Sequence, residues 1–491
     1  MDAQPLYRQL ATHYLDAIRA GALRHGERMP SVRELMRLHD VSLSTAVQTC
    51  RELERAGWIE ARPRSGYFVR PPRRNSIPQP EEPDLAQPPD PAQYVGIHAR
   101  VSHFIEQGRR HRITLGLSGA RAAPELYPSE KLKNAALRAL RRHPDILVSA
   151  TPPAGDPRFR EMLARRAVAS GQVLAPEDIL VTHGCIEALN LALRAVAGPG
   201  DTIAVESPTF YGLLQILESL GLRALEIPTS VSTGLSVDAL ELALSTHPGI
   251  KAVVVVPHLQ NPLGSIMPDS EKRRLVQLCE RAGVALIEDD TYSDLVDADK
   301  PPTALKAWDR GGNVIHCASL HKTLAPGMRL GWMSAGRWQA RVAMLKYAQT
   351  RDNEVWSQLA AAEYMASGDF DRHLRRLRGA LREQRGRMAD AIAAHFPHGT
   401  RMTLPDGGIT IWVELPERLP SRAVFDAAIR EGILIAPGAM FSNSGKFDHF
   451  IRLNCGLRYS DEVDEGMRAL GRMVAALARK TTKTRLQVCR A

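Results

Sequence analysis

Aromatic residues make up only 5% of this 491-residue chain, and its 6 cysteines (Cys50, Cys185, Cys279, Cys317, Cys455 and Cys489) include no Cys-x-x-Cys pair. Such spacing offers neither a zinc ligand set nor a disulfide framework, and it suits a reducing compartment. No apolar run reaches the roughly 18 residues that a membrane helix needs. Polar residues follow Met1 directly, so no signal peptide is expected. A soluble, cytoplasmic protein with no membrane partner is the expectation. Lysine is missing from residues 1–74, where 13 arginines face 8 acids, while Arg479–Arg490 holds five basic residues and no acid. The net charge of +10 is therefore concentrated at the ends, which fits nucleic-acid contact there better than a uniformly basic body would.

What is present divides the chain. Leu6, Leu10, Tyr14 and Ile18 recur at helical spacing. Ser31 and Glu34 form a capping box that opens a second short helix. Ser42 caps a third, with Ala46, Val47, Cys50 and Leu53 expected to face inward. Two short strands around Trp58–Ala61 and Tyr67–Val69 flank Arg62-Pro63-Arg64-Ser65-Gly66. This is the plan of a winged helix-turn-helix, although the elements alone also suit a small helical interaction module. On that plan the groove-reading helix presents Ser42, Ser44, Thr45 and Gln48, while Arg33, Arg62 and Arg64 meet phosphates. The stretch from Gly21 to Leu35 and the wing from Arg62 to Val69 resemble the GntR-family DNA-binding domain over some 65 ungapped residues.

Eight prolines between Pro71 and Pro91 predict a semi-rigid extended linker, assigned to 71–95. Beyond it, helical stretches alternate with the short apolar runs 179–182, 202–205, 252–256, 284–287 and 313–316. That alternation predicts a mainly parallel sheet covered on both faces. A long basic helix after Asp371 and strands at 409–414 and 450–453 predict a smaller α+β subdomain. The fold class expected is multidomain: a small winged helix-turn-helix over 1–70, then a large α/β body over 96–478. The basic tail 479–491 is expected to be disordered.

The chemistry gathers at the strand ends, where open α/β sheets bind ligands. His183-Gly184-Cys185-Ile186 opens a helix, Asn261 lies in a proline-flanked loop, and Asp289 and Tyr292 stand three apart. Lys322 lies in a small-residue and glycine context with Ser319 and Arg329 nearby. A lysine so placed suits a carbonyl cofactor, and the hydroxyl and guanidinium suit a phosphate monoester.

In this order the clusters resemble fold-type I pyridoxal-phosphate enzymes, the aspartate aminotransferase superfamily, over roughly 110–475. The resemblance implies pyridoxal 5'-phosphate (PLP) joined to Lys322 as a Schiff base, with Asp289 on the pyridine nitrogen. It implies Tyr292 and Asn261 at the ring's 3-oxygen and Phe210 stacked on the ring. Gly184, Cys185, Ile186, Ser319 and Arg329 would hold the phosphate, and Arg452 a substrate carboxylate. Two positions depart from the pattern: His321 stands where many relatives have Ser, and Ala150 where they often have Tyr. A GntR-type head joined to an aminotransferase-like body resembles the MocR subfamily of bacterial regulators. That resemblance implies a homodimer on operator DNA that responds to PLP or an amino-acid or amine adduct. An active aminotransferase with an appended reader is the alternative.

Overall fold

The computed structural model describes residues 5–20, 22–24, 26–55, 58–62, 65–69, 77–84 and 89–488. The chain forms two compact units, Met1–Ser76 and Ile77–Ala491.

In the first unit, α1 (Leu6–Arg19), α2 (Val32–His39) and α3 (Leu43–Arg55) precede the antiparallel hairpin β1 (Ile59–Arg62) and β2 (Gly66–Val69). The capping box forms as expected: Glu34 N–H donates to Ser31 Oγ at 3.3 Å, and Ser31 N–H to Glu34 Oε2 at 2.7 Å. Asp40 then takes a left-handed conformation (φ 48°) that ends α2. Leu10, Tyr14, Ile18, Leu35, Ala46, Cys50, Leu53 and Ile59 form the core. Val47 is only half-buried, and Thr49 takes the inward position instead. Thr49 tolerates burial because its hydroxyl donates to Thr45 O at 2.9 Å.

The described part of the proline-rich stretch is attached to the second unit, so it is not a free spacer. Met402 N–H donates to Pro78 O at 3.1 Å, Arg401 pairs with Glu81 at 2.6 Å, and Ser232 Oγ donates to Glu82 at 2.8 Å. An extended chain without internal bonds keeps its carbonyls available for such docking.

The second unit carries the strands β3 (Gln93–Tyr94), β4 (Leu115–Gly116), β5 (Leu180–Thr182), β6 (Thr202–Ser207), β7 (Arg223–Ser230), β8 (Gly234–Leu235), β9 (Ile250–Val255), β10 (Ala285–Asp289), β11 (Val314–Ser319) and β12 (Gly331–Ser334). The large sheet runs β3-β7-β6-β9-β10-β11-β12-β5, with β8 beside β7. Strands β7, β6, β9, β10 and β11 are parallel, and β12 runs against both β11 and β5. Alternate residues supply two different cores, as the two-residue strand period requires. Val254, Ile287 and Ile315 pack with the helices Cys185–Val196 and Tyr211–Ser219. Val253, Leu286 and Val314 pack with Val237–Thr246 and Asp269–Arg281.

A second sheet joins β13 (Arg401–Met402), β14 (Thr410–Glu414), β16 (Ala436–Pro437) and β17 (Phe450–Asn454) in the order β13-β14-β17-β16, while β15 (Ile433–Leu434) pairs with β4. A 27-residue helix, Asp369–His395, leads into this lobe. The final helix spans Asp461–Val488, which corrects the expectation of a disordered tail from 479. No Gly or Pro interrupts 472–488, and basic residues suit a helix C-terminus, so nothing in the sequence stops the helix earlier. Among the described residues no helix is long and apolar enough to cross a membrane.

Candidate functional site

In the first unit, Arg33, Ser42, Ser44 and Gln48 are exposed and Thr45 is half-buried. Thr45 N–H donates to Ser42 Oγ at 3.2 Å, so Ser42 caps α3, and its hydroxyl also lies 2.8 Å from Ser44 Oγ. Arg62 belongs to β1, with its side chain outside the described residues, as is all of Arg64. The sequence reading overlooked Arg28. Its Nε lies 3.3 Å from where a Cβ on Gly66 would stand (φ 98°), so the hairpin requires glycine there and Arg28 sits against the wing.

In the second unit, one cavity of about 190 Å³ is lined by all the residues expected around the cofactor. Gly184, Cys185, Ile186, Phe210, Asn261, Asp289, Tyr292, Ser319, Lys322, Arg329 and Arg452 share it. They arrive from seven places in the chain. The ends of β5, β6, β9, β10 and β11 deliver all but Arg329, which precedes β12, and Arg452, which β17 of the second lobe contributes.

At one end of the cavity, Gly184 (φ 89°) caps the helix Cys185–Val196, whose first amides have no intrahelical partner. A Cβ on Gly184 would come within 3.2 Å of Arg329 Nη2, which donates to His183 O at 3.0 Å. Ser319 Oγ is buried beside them without a partner. Free amides, a helix N-terminus, a guanidinium and an orphaned hydroxyl are together suited to an anion such as a phosphate monoester.

The cavity lining also holds Asp289, Asn261, Tyr292 and Arg452. Asp289 Oδ1 accepts from Thr291 Oγ1 at 2.5 Å, Thr291 N at 3.2 Å and Cys185 Sγ at 3.2 Å. All three converge on one oxygen, leaving Oδ2 for a ligand. Burial raises the proton affinity of Asp289, so the carboxylate gains by meeting a cationic partner such as a protonated pyridine nitrogen. Asn261 Nδ2 donates to Tyr292 OH at 3.5 Å, and Arg452 Nη1 to Asn261 Oδ1 at 2.9 Å. Arg452 also donates from Nη2 to Ser118 O at 2.6 Å, while its buried Nε has no partner.

Lys322 Nζ donates to Ala120 O and lies 5.8 Å from the Tyr292 ring centre. Burial, then repulsion from Arg452, lowers its pKa to about 7, against a smaller opposing pull from Asp289. An amine so poised is a nucleophile near neutral pH. Burial and the charges of Lys322 and Arg329 hold the His321 pKa at about 4, so its imidazole is neutral at neutral pH. Its Nδ1 lies 3.4 Å from Arg329 Nη1, where it can accept from the guanidinium and orient it. Ala150 is exposed and does not line the cavity.

Thr291, Tyr211 and the carbonyls of Ser118 and Ala120 are site features the sequence reading passed over. Thr291 stands two residues from Asp289 and was legible as an Asx-type partner. The two carbonyls lie some 200 residues or more from what they bind, and no local pattern marks them.

This fold and this cavity define a fold-type I PLP-binding protein. The chain belongs to the aminotransferase class I and II family, whose model matches residues 122–470, and the model of the gntR family of bacterial regulatory proteins matches residues 6–69. The uncharacterized HTH-type transcriptional regulator YjiR of Escherichia coli is 37% identical over 95% of this chain and 98% of its own length. The 2-aminoadipate transaminase of Thermus thermophilus is 29% identical over 74% of this chain and 90% of its own. The structure of LysN, the α-aminoadipate aminotransferase of the same organism complexed with N-(5'-phosphopyridoxyl)-L-leucine, superposes with a TM-score of 0.70. It is 28% identical and spans 78% of this chain and 96% of that one.

Proposed function

We propose that this chain is a PLP-responsive transcriptional regulator of the MocR type, acting in the cytoplasm as a homodimer on operator DNA. The observation that carries the reading is the union, in one chain, of a helix-turn-helix with an intact Lys322 cavity. YjiR matches both parts across almost its whole length.

Bound PLP supplies an electrophilic aldehyde and an electron-withdrawing ring. The chain's residues do the rest. Lys322 would offer its neutral amine to that aldehyde, and Asp289 would hold the proton of the ring nitrogen. Tyr292 and Asn261 would orient the ring oxygen, and Phe210 would lie against the ring. Gly184, Cys185, Ile186, Ser319 and Arg329 would hold the phosphate. Arg452 receives the carboxylate of an amino-acid effector through its unpartnered Nε and a neighbouring Nη.

Arg452 comes from the second lobe and Lys322 from the first, so a ligand that engages both favours one lobe arrangement by its differential affinity. Support for a homodimer comes from apolar residues left exposed on the packed helices Cys185–Val196 and Gln339–Gln349: Ile186, Met344 and Tyr347.

The test is binding to the chain's own upstream DNA, with and without PLP, at fixed salt. A PLP-dependent shift that Lys322→Ala abolishes is expected. Ligand-dependent regulation that survives in Lys322→Ala sinks the reading. A second reading, an active aminotransferase, draws on the presence of Lys322, Asp289, Tyr292 and Arg452 in a single cavity. Turnover of an amino acid with a 2-oxo acid on the order of 1–10³ per second selects it.

A further inference from the structure

On the sequence reading, Ser42, Ser44, Thr45 and Gln48 face the groove. Between the first two stands Leu43, the first residue of α3, and its side chain is 59% exposed. Val47 follows one turn later and is half-buried, although the sequence pattern placed it inward. Residues four apart on a helix lie one above the other. Leu43 and Val47 therefore form an apolar ridge on α3, beside the polar ridge of Ser44 and Gln48.

A single exposed leucine needs no explanation on an ordinary surface. The position of this one is different. In a helix-turn-helix the N-terminal residues of the second helix meet base edges, while the first helix crosses the phosphate backbone. A side chain that meets only water or phosphate gains nothing by being apolar. One that meets base edges can gain, because the major groove carries an apolar group, the C5 methyl of thymine.

The hydroxyls around Leu43 do not supply the discrimination in its place. Ser42 Oγ caps α3 and lies 2.8 Å from Ser44 Oγ and 3.0 Å from Thr45 Oγ1, so the three are turned toward one another. Each hydroxyl both donates and accepts, and so suits more than one base. The methyl is unambiguous: only A·T and T·A pairs carry it, on opposite sides of the groove. The amide of Gln48 on the neighbouring ridge matches adenine N6 and N7, so both ridges favour A·T pairs.

We propose that Leu43 is a sequence-reading residue, whose side chain packs on a thymine methyl in each operator half-site. This deepens the operator reading above and rests on it. Val47 extends the apolar surface that the methyl meets.

The test uses the full chain and a duplex of its own upstream region, amplified once with thymidine triphosphate and once with deoxyuridine triphosphate. Uracil keeps every pairing and hydrogen-bonding group and lacks only the methyl. One buried methyl is worth roughly fourfold in affinity, so a dimer reading two half-sites should bind the thymine duplex about 15-fold more tightly. In Leu43→Ala that preference should fall to within about twofold. The salt dependence of binding should stay as in the wild type, because no phosphate contact is lost. Leu38→Ala removes an equally exposed leucine at the end of α2, and should keep the full preference. Specific wild-type binding with equal affinity for both duplexes overturns the proposal. A preference that survives in Leu43→Ala also overturns it, by placing the methyl effect on another residue or in the shape of the DNA. So does a preference lost equally in Leu38→Ala. Wild-type binding to the thymine duplex no tighter than to unrelated DNA refutes the operator reading itself, and the assignment of Leu43 falls with it.

Discussion

At the scale of single residues, Lys322 and Arg452 are coupled. The largest cause of the fall in the Lys322 pKa to about 7 is burial, and the next cause that lowers it is the Arg452 charge. A lowered lysine pKa means the amine is neutral, and reactive, above about 7 instead of above about 10.4. The rate of PLP uptake by the cofactor-free protein should therefore rise through about pH 7 in stopped-flow absorbance. A rise confined to pH above about 9 would mean that the amine is solvated like a free lysine. Removing the guanidinium removes its repulsion, so in Arg452→Gln the midpoint should move to higher pH. The same variant should bind carboxylate-bearing effectors about 10²-fold more weakly, because charge-assisted hydrogen bonds worth about 1.5–3 kcal/mol each are lost. Calorimetric titration on the PLP-loaded protein measures that loss. An unmoved midpoint would show that the Arg452 charge does not help set the Lys322 pKa.

At the scale of elements, two substitutions probe local rules. A Cβ on Gly331, at the start of β12, would stand 2.6 Å from the Gly184 backbone and 2.8 Å from Ala318 O. Neither is a flexible side chain that can move away. Gly331→Ala should therefore cost about 1–3 kcal/mol by overpacking, and it should weaken PLP binding more than its stability loss explains, because the displaced strand adjoins Gly184 and Arg329. Ser31→Ala removes the α2 cap and should cost about 1 kcal/mol in thermal denaturation of the first unit, with PLP binding unchanged. The Ser31 cap, α1, α3 and the parallel strands β6, β9, β10 and β11 were legible because capping boxes and apolar runs are local signals. The strand β7 was not legible: Glu226 and Pro228 break its apolar run, yet Glu226 is buried under donors from Ser207, Ser442, Asn443 and Ser444. The strand β12 was hidden for a different reason. It lies inside the glycine-containing stretch that reads as a cofactor loop, and only its antiparallel pairing with β11 and β5 reveals it. Most of the cavity lining at strand ends was readable, Thr291 and Tyr211 being the exceptions. What approaches from a distant part of the chain, such as Ser118 O and Ala120 O, has no sequence signature.

At the scale of the whole molecule, charge and oligomeric state decide how the reader head works. The arginine-rich first 74 residues imply DNA affinity that falls steeply with salt. A single small reader contacts few phosphates, so useful affinity at physiological salt calls for two heads on paired half-sites. On the proposed reading the second unit supplies that pairing through the face carrying Met344 and Tyr347, which are 67% and 45% exposed. Charging this face tests the idea without touching the head or the Lys322 cavity, since neither residue lines the cavity. Met344→Glu combined with Tyr347→Glu should sediment at half the wild-type mass and retain the wild-type melting of the first unit. It should bind a two-half-site operator on the order of 10²–10⁴ times more weakly, the avidity lost with the second head. Binding to a single half-site should be unchanged, because each head is intact. Wild-type mass and operator affinity in the double variant would place the partner surface elsewhere. Half the mass with full operator affinity would show that one head reads the site alone, and that the second unit regulates it by a route other than pairing.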